Sequence, residues 1–563
     1  MTENKKHSFM KGIFTIMISQ FLIKILGMLY SLYLTNKSGF GDEGNGLYGA
    51  GFQIYSLLLA ISSVGVPNAI SKLVSERVAL GQYKGAHRIF KIAFAFFGII
   101  GFIGSLILFL GANFISNVII SNPRVEYILM IIAPSVFFVS VSSVIRGYFA
   151  GYQEMRATAN SQFIEQLFKA ILSITIVYVL TGKDIVLMAS GATLATTLAT
   201  ILSFLYLCVF YKARNIGIWD NIKNSVEKNR PKMINIIKAI LIVAIPISLS
   251  SVMSVISKNI DSITVIRGLK SIGYSQEISD SMYGLIVGKI DTLVNLPLAF
   301  NIAFSVSLVP TVAAAKIKKD LDTISKRISF SMLLSLLISI PFVAVFSVLT
   351  NPILKFLFTN INEEGYLLQV SVMIIIFTML GQTVVGALQG LGKVYIPAIA
   401  LLFGIIGKLI TNIVLIRIPE INILGSIIGS IVAQGIYFTI VFITLLRNTK
   451  IELSIKKFII KPLIAGSMMM ISVIYIYDYV ITFTNNRIAV VISLFFCGII
   501  YVLSIIMLKV FNKEEILMFP YGDKIYNILL KLGIYNKRRE TILNKGVLIL
   551  RDCKSKYPIG LQK

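Results

Sequence analysis

Residues 92–110 read IAFAFFGIIGFIGSLILFL, with no charged residue and no proline. As a helix this stretch rises about 28 Å, close to the ~30 Å hydrocarbon thickness of a bilayer. The pattern is not local. Fourteen hydrophobic segments follow one another at 9–35, 46–71, 89–120, 127–146, 160–181, 185–211, 237–262, 281–315, 328–350, 366–389, 394–416, 421–446, 458–482 and 488–510. The 563-residue chain is 56% hydrophobic and only 14% charged, with a mean hydropathy of +0.83. A soluble domain carries about a quarter of its residues charged and would have nowhere to bury so much apolar surface. The composition therefore predicts an all-α polytopic membrane protein with fourteen transmembrane helices. The first segment is too long for a signal peptide and lacks a small-residue cleavage site, so it is expected to remain as a helix.

The formal net charge of +27 could point to nucleic acid, but its distribution points elsewhere. With the fourteen segments alternating across a membrane, 40 Lys and Arg fall on one side, 8 on the other and 5 within spans. Cytoplasmic loops carry the excess of Lys and Arg, so both termini are expected in the cytoplasm, with no nucleic acid required. Three cysteines and two histidines supply neither a disulfide framework nor a zinc site of the usual spacing. No metal or cofactor is expected. Coupling to Na+, H+ or the membrane potential is left open by the sequence.

The spans also repeat. Arg146, Gly147 and Gly151, in RGYFAG after the fourth span, are echoed by Gly386 and Gly390 in GALQGLGK after the tenth, an offset of 239. Val66-Pro67 recurs as Val309-Pro310 at 243, and Lys24 as Lys258 at 234. These offsets predict two six-helix lobes of the same topology, related by pseudo-symmetry and enclosing a cavity between them, with two extra C-terminal helices. The expected division is residues 1–231 for the N-terminal lobe and linker, 232–450 for the C-terminal lobe, 451–510 for spans 13 and 14, and 511–563 for a basic, partly amphipathic tail on the inner leaflet. The GxxxG pairs Gly147/Gly151, Gly386/Gly390 and Gly425/Gly429 permit close helix approach. The two overlapping GxGxxG matches in residues 39–49 follow no strand, so they read as a flexible loop rather than a dinucleotide site.

Ionisable residues inside spans are expensive, about 2.5–3.5 kcal/mol each at the bilayer centre on insertion scales, and so point to function. Glu165 and Lys169, spaced i,i+4, are expected to neutralise each other on one helix face. Lys24 sits at least ten residues from either end of its span, about 15 Å each way, beyond comfortable snorkelling to the headgroups. It is the foremost candidate for a polar cavity. Lys258 is expected to snorkel, Lys408 is open to either use, and Lys289 and Asp291 point to different faces of one helix. Asp478 reads as interfacial. Embedded cations outnumber embedded carboxylates in this reading, which suits an anionic substrate better than a cationic one. No nucleophilic triad, metalloprotease, nucleotide-binding or glycosidase-like pattern appears, so catalytic residues are not expected.

Residues 45–55 (NGLYGAGFQIY), 66–75 (VPNAISKLVS), 146–151 (RGYFAG), 161–166 (SQFIEQ), 295–297 (NLP) and 307–310 (SLVP) together resemble the SpoVB/MurJ-like polysaccharide flippases of the MOP exporter superfamily. The resemblance covers about residues 9–535. It implies alternating-access flipping of an undecaprenyl-pyrophosphate-linked sugar, such as lipid II, to the outer leaflet of a bacterial plasma membrane. It also implies a lipid-tail groove at spans 13 and 14. Lys24 matches the first basic position of the family's first span, while Tyr30 stands at the second and Gly46 at an acidic position. In these the chain is closer to the sporulation-type pattern. Lys24, Lys258, Lys289, Asp291 and Lys408 are then the expected headgroup-binding residues. Arg146, Gly147, Gly151, Glu165, Lys169, Gly386 and Gly390 are expected to be structural or gating. The expected partners are the lipid-linked oligosaccharide, membrane lipids and cell-wall synthesis enzymes. The competing readings are a cation-coupled multidrug antiporter of the same superfamily, a membrane glycosyltransferase, for which no catalytic loop is present, and a non-transporting scaffold for cell-wall synthesis.

Overall fold

The computed structural model describes residues 22–63, 65–224, 232–359, 365–449, 451, 453–519, 522–532 and 534–535. The start of the first expected span and the tail beyond residue 535 lie outside them. Among the described residues every regular element is helical. The principal helices are α1 (Leu22–Asn36), α2 (Gly41–Ser63), α3 (Gly65–Ala79), α4 (Tyr83–Leu110), α5 (Glu126–Gly151), α6 (Arg156–Val179), α7 (Ile185–Asn224) and α8 (Met233–Ser271). They continue with α9 (Gln276–Leu285), α10 (Asp291–Ile317), α11 (Leu321–Val348), α12 (Gly365–Gly390), α13 (Ile396–Leu415), α14 (Leu424–Asn448), α15 (Lys461–Ile481), α16 (Asn486–Met507) and α17 (Gly522–Lys531). Among the described residues eleven helices are long and apolar enough to cross a membrane, or twelve with α8, which bends by 52° between Ile245 and Ser248. This is a multi-span membrane protein.

Several helices outrun the hydrophobic segments that predict them. Polar residues at a span's end extend the helix as readily as apolar ones, because backbone bonds, not side-chain polarity, set its length. Thus α8 continues to Ser271, well past residue 262. Likewise α2 starts at Gly41, so Gly44, Gly46 and Gly49 occupy its first turns. The expected flexible loop is instead helix, a correction to the reading of residues 39–49.

The described residues fall into two compact units, 1–452 and 453–563. In the first, α5 packs against α2, α3, α4 and α7, and α6 against α7. Later in the chain, α12 packs against α10, α11 and α14, and α13 against α14. Lipid is as apolar as leucine, so close van der Waals approach must hold such helices together. The glycine pairs supply it. A Cβ on Gly147 would lie 2.8 Å from Pro67 Cα, and one on Gly151 would lie 2.6 Å from Val74. On Gly386 it would meet Ser305 O at 2.4 Å, and on Gly390 Val309 O at 2.8 Å.

In the second unit α15 pairs with α16, Lys457 forms an ion pair with Glu515, and Lys461 Nζ donates to Lys509 O at 2.6 Å. The amphipathic α17 buries Tyr526 and Leu529 beside Ile516 and leaves Ile525, Ile528 and Leu532 exposed.

Candidate cationic site between the two halves

Helices α1 and α2 from the first half meet α8, α9 and α10 from the second. Ser31 and Thr292 hydroxyls are 3.3 Å apart, and Asn259 Nδ2 donates to Gln53 O at 2.9 Å. Around this seam the embedded charges sort into two kinds. Lys24 of α1 and Lys258 of α8 are exposed, lie within electrostatic reach of each other, and form no ion pair among the described residues. Lys258 is 13 residues from the end of α8, about 20 Å at 1.5 Å per residue, because the helix runs on past the apolar segment. Two like charges brought together at this depth repel unless an anion lies between them.

The other cations are already matched. Lys289 stands in a π-helical turn, Ile286–Ile290, and its ammonium meets Asp42 of α2 at 2.6 Å. Lys289 and Asp291, two residues apart and on different faces, have different partners. Asp291 instead lies within electrostatic reach of Lys258, Asp261 and Lys408. Lys408 is buried and pairs with Asp261. Asp261 also accepts from Asn412 at 3.1 Å and Ser426 at 3.0 Å. Removing either member of a buried pair leaves an uncompensated charge, so Lys289 and Lys408 are committed in this conformation.

The expected Glu165–Lys169 pair does not form. Glu165 binds Arg146 at 2.9 Å, and Arg146 also donates to Ser161 at 2.9 Å and Ser203 at 3.0 Å. Arg146, at the end of the fourth hydrophobic segment, is buried. Lys169 points instead into the rings of Tyr30, Tyr48 and Phe52, with centroids 5.2, 5.7 and 4.5 Å away. The i,i+4 spacing permits a pair but does not compel one. A guanidinium with two hydroxyl acceptors beside it binds the carboxylate, and three ring faces hold the ammonium.

Among the described residues no cluster of three His, Cys, Asp or Glu could hold a metal. A family model described as polysaccharide biosynthesis protein matches residues 9–314, more than half of the chain. The chain belongs to that family. It is similar to stage V sporulation protein B of Bacillus subtilis (strain 168), 25% identical over 453 residues, which span 79% of this chain and 84% of the relative. Its fold is similar to that of the lipid II flippase MurJ in an inward closed conformation, with a TM-score of 0.63 at 15% identity, covering 86% of this chain and 97% of the other. It is also similar to an inward-facing MATE family multidrug transporter of the MOP superfamily, with a TM-score of 0.63 at 15% identity, covering 77% and 98%.

Sequence reasoning within this family missed three carboxylates. Asp42 lies in a stretch read as loop, Asp261 at the last residues of an apolar segment, and Asp280 just ahead of one. The count of embedded charge is corrected accordingly: Asp42 and Asp261 neutralise two of the five cations. The available signal was Asp261 itself, one helical turn from Lys258, which a longer α8 carries inward.

Proposed function

We propose that the protein is a membrane transporter that flips an undecaprenyl-pyrophosphate-linked cell-wall oligosaccharide, lipid II or a related precursor, from the inner to the outer leaflet by alternating access. The observation that carries the reading is the exposed couple Lys24 and Lys258, one from each half, which forms no ion pair among the described residues. Pyrophosphate is the part of such a lipid that hydrocarbon excludes, and these two ammonium groups replace its hydration at mid-membrane. Asp291, close to Lys258, competes with the anion and eases its release. Lys289 and Lys408 become available only as their partners Asp42 and Asp261 move away. An inside-negative potential of 100 mV favours outward movement by about 2.3 kcal/mol per negative charge.

The architecture in this proposal has fourteen crossings: the twelve apolar spans obtained when the bent α8 is counted as one, joined by Leu22–Asn36 and by the run Gln276–Ile317. The matching helix pairings around α5 and α12, and the matching glycine contacts, support two pseudo-symmetric lobes. Helices α15 and α16, with Tyr475, Phe495 and Val502 exposed, are assigned to the polyprenyl tail. Asp42 and Asp261 are held by lysines, which weighs against a cation-coupled multidrug antiporter.

The test is flipping of fluorescent lipid II in proteoliposomes. Wild type is expected to move the label, and Lys24→Ala and Lys258→Ala to slow it about 10- to 100-fold, the loss of one charge-assisted bond of 1.5–3 kcal/mol. Lys24→Arg should retain most of the rate. Wild-type speed in Lys24→Ala would remove the cavity assignment. A wild type that exports a cationic dye but moves no lipid would overturn the flippase reading in favour of the antiporter.

A further inference from the structure

At the end of the bundle that holds residues 115–125 and 267–280, the two halves grip each other through a second polar cluster. The segment after α4 passes through a left-handed Ser121 (φ 61°), which turns Asn122 and Arg124 toward α9. Asn122 Nδ2 donates to Asp280 Oδ1 at 2.8 Å. Gln276 Nε2 donates to the same oxygen at 2.9 Å, while Gln276 Oε1 accepts from Lys270 at 2.8 Å. Lys270 also holds Ser121 O at 3.0 Å, and Arg267 holds Val118 O. Beneath them α2 and α9 cross in backbone contact: a Cβ on Gly46 would lie 1.9 Å from Asp280 O, and one on Gly284 would lie 1.7 Å from Asp42 O.

Asp280 is the anomaly in this clamp. Its side chain is 0% exposed, and Oδ2 accepts no hydrogen bond. Arg124 is shared: its Nη2 pairs with Glu43 at 2.7 Å, and its Nη1 stands 3.6 Å from Asp280 Oδ2, too far for a hydrogen bond. A carboxylate buried with one oxygen unsatisfied is poorly compensated as an anion and well suited to a proton.

We propose that Asp280 is a proton-binding site at the end of the molecule assigned by charge to the outside, and that a proton bound there locks the two halves together at that end. The proposal rests on the alternating-access reading, in which the halves part at each end in turn. The charges facing the cluster are Arg124 and Glu43, Asp42 on α2, and Arg267 and Lys270 on α8. In the closed state Asp280 is shut away from water with Oδ2 free of hydrogen bonds, and when the halves part it meets water. The closed state therefore binds the proton more tightly, so acid outside favours closure.

The test uses the full chain in proteoliposomes, with Cys208, Cys497 and Cys553 replaced by Ser. Spin labels are placed at the exposed positions Asn117→Cys and Glu277→Cys, one on each half. Their distance distribution is followed while external pH runs from 8 to 4.5 and internal pH stays at 7. The short-distance population is expected to rise as external pH falls. Asp280→Asn, a neutral isostere, should stay closed at every pH. Glu43→Gln frees Arg124 and should move the midpoint to lower pH. A wild type insensitive to pH, or an Asp280→Asn variant that still titrates like wild type, would overturn the proposal. No substrate enters the measurement, so a failed flipping assay and a failed lock are separate results.

Discussion

At the residue scale, the protein separates cations that are spent from cations that are free. Arg146 and Glu165 are one buried network with Ser161 and Ser203, while Lys169, one turn from Glu165, belongs to the rings of Tyr30, Tyr48 and Phe52. Double-mutant cycles should register the difference. Glu165→Gln is expected to destabilise the detergent-solubilised protein by roughly 2 kcal/mol, less than the 3–5 of a fully buried pair because Glu165 is partly exposed. Coupling between Arg146→Gln and Glu165→Gln should exceed about 1 kcal/mol, and that between Glu165→Gln and Lys169→Gln should stay within about 0.5, the scatter of independent sites. Thermal unfolding of the set measures both, and strong coupling of Glu165 to Lys169 would refute the observed pairing. The sequence displays every one of these charges, and Lys24 stands out by depth alone. What spacing cannot display is the partner, because Asp42 and Asp261 reach Lys289 and Lys408 across 247 and 147 residues.

At the element scale, glycine placement decides where helices can touch. Gly46 and Gly284 sit where α2 and α9 run backbone on backbone, whereas Gly435 in α14 has nothing within 4 Å of its would-be Cβ. Gly46→Ala forces the helices apart by more than an ångström, since ordinary Cβ contacts begin near 3.4 Å. The short-distance population between labels at 117 and 277 should then collapse at all pH values. Gly435→Ala meets no atom and removes a poor helix former, so it should be neutral or stabilising by up to about 1 kcal/mol. An unchanged distance distribution in Gly46→Ala would mean that the crossing does not close this end. Here the sequence was legible in part. The glycine pairs at 147/151 and 386/390 were recognisable by their recurrence at one offset. Gly46 was not, because the polar run before it resembles a loop and its counterpart, Gly284, lies 238 residues away.

At the scale of the whole molecule, hydropathy makes a helical membrane protein legible at once, yet two helical runs that the proposal counts as crossings escape a length-and-polarity rule. Leu22–Asn36 is described only from residue 22, and the run Gln276–Ile317 carries Lys289 and Asp291. Those two charges are tolerable because Lys289 meets Asp42 and Asp291 lies within electrostatic reach of Lys258 and Lys408, so burial against protein, not lipid, decides whether a charged helix can span. Whether Gln276–Ile317 crosses is a question of sides. If it does, residue 277 and residue 319 lie on opposite faces, whereas 319 and 393, separated by α11 and α12, share one. Single cysteines at Lys183, Glu277, Lys319 and Lys393, in a chain whose own three cysteines are Ser, can be exposed to a membrane-impermeant maleimide in intact cells. Positions 183 and 277 should label, and 319 and 393 only after permeabilisation. Labelling of 277 and 319 from the same side would cancel that crossing. It would also break the 40-to-8 division of Lys and Arg, because every loop after the lost span would change faces.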